Sequence, residues 1–155
     1  MFRVGDRIYY PMHGVGIIES IQEQSVLGKA ARYYILRFGA GTMTAMVPVD
    51  TAEQVGLRSV ISETEAARVA AHLKTETCPE SDNWTQRDRD NLDKLRAGEI
   101  YGVADVVKCL VKRDRERGLS AGERKMYLTA RRVLFAELAA ASGKEEAVFE
   151  KLVDG

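Results

Sequence analysis

The residues best suited to act on a partner are Trp84, the chain's single tryptophan, and the arginines and lysines that follow it as far as Arg132. A broad aromatic ring can pack against nucleic-acid bases while neighbouring cations hold phosphates. Nothing comparable points to covalent chemistry. No Ser/His/Asp, Cys/His or paired-carboxylate arrangement stands out in the sequence. Gly14-Val15-Gly16 lacks the third glycine, the following helix and the lysine of a phosphate-binding loop, so it reads as a turn. His13 and His72 have no Cys or His at a ligand spacing, and no metal site is expected. An enzyme is therefore the weakest reading, with no cofactor and no small-molecule substrate implied.

Charge supports the same stretch. The formal net charge is zero, which excludes a global attraction to polyanions, but the distribution is uneven. From Trp84 to Arg132 there are thirteen Lys/Arg against eight Asp/Glu, whereas residues 1–57 hold five of each. Residues 58–83 and 133–155 are both net acidic, so a basic middle lies between acidic flanks. The cations also have an ordinary reading. Lys108, Lys112 and Arg115 share one helix face and Arg124 and Arg131 another, and Asp105, Asp114, Glu116 and Glu123 lie close enough in sequence to pair with them. From the residues alone, Trp84 reads first as a helix-start anchor packed on a core.

The elements that must position these residues fall into two groups. The first fifty residues read as β, with extended runs at 2–11, 15–22, 32–38 and 42–47 separated by glycine-bearing turns and closed by Pro48. Four or five short strands in this length predict a small, strongly bent sheet or barrel. After a connection containing Gly56 the pattern becomes helical. Ser62 with Glu65 and Ser120 with Glu123 have capping-box spacing, and Thr85 with Asp88 can cap the helix between them, which should end at Gly98. A further helix is expected over about 99–117 with Val103, Val106, Val107, Leu110 and Val111 buried. The helix from Ser120 to about Ala141 should bury Leu128, Leu134, Phe135 and Leu138, and a last one should span 145–153. The fold class expected is α+β: an N-terminal β domain over 1–55 and an all-α domain of about five helices over 56–155. Cys78 and Cys109 stand far apart, and no apolar run is long enough to span a bilayer, so a cytoplasmic protein with reduced thiols is expected.

Four motifs in order, Val4-Gly5-Asp6-Arg7-Ile8-Tyr9-Tyr10-Pro11-Met12-His13-Gly14-Val15-Gly16, Gly56-Leu57-Arg58, Asn83-Trp84 and Arg117-Gly118-Leu119-Ser120-Ala121-Gly122-Glu123, resemble the CarD/CdnL family of bacterial transcription regulators over essentially the whole chain. The resemblance implies a Tudor-like or SH3-like N-terminal barrel that docks on the lobe of the RNA polymerase β subunit, and a helical domain that contacts promoter DNA at the upstream edge of the bubble. Trp84 would act as a wedge at the fork between duplex and melted DNA, with Asn83 fixing its loop. Arg87, Arg89, Arg124 and the neighbouring Lys125 would contact phosphates. Docking would use the strand Thr42, Met43, Thr44, Ala45, Met46 and Val47, and Gln24 and Met46 stand where several relatives carry arginine. A competing reading is a protein-interaction adaptor that uses the barrel alone, its helical domain recruiting a protein rather than DNA.

Overall fold

A computed structural model describes residues 1–39, 43–75, 78 and 83–154. They form two compact units, Met1–Val60 and Ile61–Gly155. The first is an antiparallel sheet of β1 (Arg7–Tyr10), β2 (Gly14–Val26), β3 (Lys29–Phe38), β4 (Met43–Pro48) and β5 (Arg58–Ser59). Its strand order is β4-β3-β2-β1-β5. Among the described residues β4 and β5 each pair on one side only, so the sheet is open where a closed barrel was expected. The segment 56–60 goes with the sheet, because Arg58 and Ser59 pair with Tyr9 and Ile8.

Alternation decides which face is buried. Ile18, Leu36 and Ala45 are mutual neighbours across three strands, as are Ile21, Tyr34 and Val47. They share one apolar face with Ile8, Phe38, Ala52 and Leu57. Two motifs of the sequence have structural work here. Gly16 is required by close approach: a Cβ there would meet the Arg37 carbonyl at 2.7 Å and the Phe38 ring at 2.8 Å. In Gly56-Leu57-Arg58, Leu57 is buried and the Arg58 guanidinium lies 4.2 Å from the centre of the Tyr9 ring.

The second unit contains α1 (Glu63–Leu73), α2 (Trp84–Ala97), α3 (Ile100–Arg117), α4 (Ala121–Ser142) and α5 (Glu146–Asp154). α3 is central, packing on α1, α2 and α4. Val103, Val106, Val107 and Leu110 of α3 meet a core that includes Val69, Leu95, Leu134, Phe135 and Leu138. Val111 is only half-buried and Leu128 is exposed, because the buried stripe of α4 runs through Ala130, Val133, Leu134 and Leu138 and leaves position 128 outside it. Among the described residues no helix is long and apolar enough to cross a membrane.

Candidate nucleic-acid interface

The start of α2 is built around its cap. Asn83 has extended backbone, and its side-chain oxygen accepts from the Gln86 N–H at 3.0 Å. Thr85, expected as the cap, is instead in the first turn. Capping by Asn83 makes Trp84 the first helical residue, and the residue remains 55% exposed. The same helix face buries Asn91 and Leu95 further along, at seven- and eleven-residue spacings. Trp84 thus continues the buried stripe past the point where the core ends.

The cations expected at this site divide. Arg87 is half-buried on the Trp84 side of α2, and Arg89, two residues on, is exposed and points away from it. Asp90, one of the two acids interleaved with these arginines, is hydrogen-bonded by the Gln86 amide at 2.7 Å. Arg124 and Lys125 stand exposed in the first turn of α4. Arg124 is 3.6 Å from Asp114 with both groups about half-exposed, a weak pair that a phosphate can displace. α2 and α3 are joined by Gly98 and Glu99 alone, and Lys94 lies beside Gly102 at the turn. Trp84 opens α2, whereas Arg124 and Lys125 stand at the start of α4.

Between α3 and α4 the motif Arg117 to Glu123 is a positioning device. Gly118 has φ 77° and ends α3; Ser120 caps α4, and Glu123 bonds back to the Ser120 N–H at 3.0 Å. The buried Glu123 carboxylate also lies 2.8 Å from Arg113 Nε. A charge-assisted pair anchored to a capping box fixes where α4 begins, and so where Arg124 and Lys125 stand. Of the ion pairs expected here, Asp114 with Arg124 forms, while Asp105 and Glu123 find other partners. Asp105 bonds His72 at 2.7 Å, and Glu123 and Asp114 go to Arg113 and Arg124. Lys108 is buried, donating to the Thr75 hydroxyl, and removal from water holds its pKa below the ordinary lysine value.

A separate surface lies on the sheet. β4 is an edge strand, and Met43 and Met46 are 58% and 48% exposed along it. Thr44 is exposed, Ala45 half-buried and Val47 buried, while Thr42 lies outside the described residues. Met46 pairs with Ile35, whereas Gln24 pairs with Ala31, beyond the last β3–β4 pair at Tyr33 and Pro48. Met46 and Gln24 share a face of the sheet but are not brought side by side. The expectation of reduced thiols is overturned as well: Cys78 and Cys109 are joined by a disulfide, with Cα atoms 5.3 Å apart across 31 residues of sequence. Cys78, between α1 and α2, falls opposite Cys109 on α3 because α1 and α3 run side by side, which sequence separation alone did not disclose.

A sheet unit with an open edge and a helical unit with an exposed tryptophan at a capped helix start define a two-unit α+β protein. Residues 2–61 match the family model described as CarD-like/TRCF RID domain, and residues 68–154 match CarD, C-terminal domain. A protein of Bacillus subtilis (strain 168) named "Putative transcription factor YdeB" is 38% identical over 149 residues, which cover 94% of this chain and 95% of that protein. The chain belongs to the CarD family, and its role is in transcription.

Proposed function

We propose that this protein docks on the β-subunit lobe of RNA polymerase through the β4 edge and holds promoter DNA open by packing Trp84 at the upstream fork of the bubble. The observation that carries the reading is the 55% exposure of Trp84 at a capped helix start. A ring that packs on bases only when the duplex has parted binds the open state and not the closed one, so its contact energy opposes reannealing. One aromatic contact worth about 1–3 kcal/mol shifts that balance roughly five- to a hundredfold. Arg87, Arg89, Arg124 and Lys125 supply phosphate contacts, which fix register and add salt-dependent affinity without reading sequence. A chain of zero net charge binds free DNA weakly, and tethering to polymerase supplies the local concentration. Adding β4 to a strand of the lobe satisfies its outward backbone groups, with Met43 and Met46 packing beside the junction.

Open-complex lifetime on one promoter, with wild type and Trp84→Ala, tests the wedge. The variant should bind polymerase as before and lose the protein-dependent extension of lifetime. Full activity of Trp84→Ala would sink the wedge.

A further inference from the structure

The disulfide does not stand alone. Cys78 is half-buried and lines a cavity of about 400 Å³ with Lys74, Lys108, Lys112 and Arg115, and among the described residues Glu116 is the one carboxylate lining it. Cys109, on the inner face of α3, is 2% exposed. The two sulfurs therefore differ in kind: one faces a basic hollow open to solvent, the other lies in the core. Positive charge around a cysteine stabilises the thiolate, the form that attacks peroxides and disulfides, while a sulfur in apolar surroundings is inert until a partner presents itself.

We propose that Cys78 is a hydroperoxide-reactive modification site, that Cys109 is its resolving thiol, and that the state of the bond between them affects promoter opening by Trp84. In the reduced protein the Cys78 thiolate attacks one peroxide oxygen. An S–O bond forms, the O–O bond breaks, and the departing oxygen takes a proton and leaves as water or an alcohol. The Cys109 sulfur then attacks the Cys78 sulfenic acid, giving up its proton. The S–S bond forms, the S–O bond breaks, and water leaves. The cysteine pair loses two electrons and the peroxide gains them. A dithiol of the thioredoxin class reverses the change by two thiol–disulfide exchanges. Proteins that work beside the chromosome meet a reducing poise, in which such bonds are transient and sensing rather than permanent. Cys78 is five residues before Asn83, the α2 cap, and the bond ties it to the middle of α3. The coupling to promoter opening rests on the proposed function; the thiol chemistry does not.

The full-length protein is reduced with dithiothreitol, desalted, treated with hydrogen peroxide and followed by intact mass and differential alkylation. Wild type should lose both thiols together, with a mass loss of two hydrogens. Cys109→Ser and Cys109→Ala, either of which suffices if the other fails to fold, should stop at a Cys78 sulfenic acid that dimedone captures. Cys78→Ser should leave Cys109 unoxidised. Lys74→Gln with Lys112→Gln, both exposed, should slow the peroxide step roughly tenfold. Persistence of both thiols in wild type, or oxidation of Cys109 at the wild-type rate in Cys78→Ser, overturns the site, and an unchanged rate in the double lysine variant overturns its activation by the hollow. Open-complex lifetimes with oxidised and reduced wild type then read the coupling. The oxidised form should give the longer lifetime by several fold, and Trp84→Ala should abolish the difference. Equal lifetimes with an inactive Trp84→Ala overturn the coupling, whereas an active Trp84→Ala overturns the wedge and leaves the mass result standing.

Discussion

Asn83 and Trp84 divide one task. The amide satisfies an N–H that the helix start leaves open, and in doing so sets the direction in which the next residue departs. Asn83→Ala should cost about 1 kcal/mol in urea unfolding of the full chain, the usual worth of such a cap. It should also shorten open-complex lifetime, and Asn83→Ser, which keeps a capping oxygen, should recover most of both. Retention of full activity by Asn83→Ala would show that Trp84 is placed by something other than the cap. The sequence held this information in part. Asn83 followed at three residues by Gln86 has cap spacing, but Thr85 with Asp88 offered the same signal two residues later. Only the extended backbone of Asn83 separates the two. Exposure of the ring was expected from the family resemblance and not from residue chemistry, because a tryptophan at a helix start packs inward as readily as out.

At the level of elements, period and punctuation carried most of the fold. The helices start and stop close to where capping residues and glycines placed them, and β2 and β3 extend the runs read from their aromatic and β-branched residues. Failures came where neighbours decide. Leu128 fits the period of α4 but falls outside the stripe that its partner helices cover, and β5 is two residues long, too short to leave a pattern. The open edge at β4 likewise depends on which strands pair, not on the composition of β4. For that edge, Met46→Glu should leave the melting curve nearly unchanged, since Met46 is half in solvent. It should also weaken capture of the isolated β lobe, and an unaltered pull-down would reassign the docking strand.

Across the whole molecule, buried charge and covalent linkage were the least legible, since both arise from helices brought together over long stretches of chain. Lys108 read as part of a solvated face and is instead enclosed between α3 and Thr75. Its pKa is lowered by removal from water, so in the interval between that value and the ordinary 10.5 the unfolded chain binds more protons than the folded one. Stability from this group therefore rises as pH climbs through the interval, and below it the penalty is fully present. Lys108→Met should be as stable as wild type or more so at neutral pH, with its relative advantage shrinking as pH approaches 10.5, measured by urea midpoints in the oxidised protein. A constant difference across that range would mean that the ammonium is not the source of the cost. The edge at β4 also affects how the protein is kept in solution. Met43–Pro48 contains no charged residue, and its free side offers unpaired backbone to any strand, including the same strand of another copy. Brevity and the terminal Pro48 restrain such pairing without preventing it. Under the proposed docking, solubility is tied to stoichiometry: copies made in excess of polymerase would carry an uncovered edge, and overproduction is then the condition that favours aggregation.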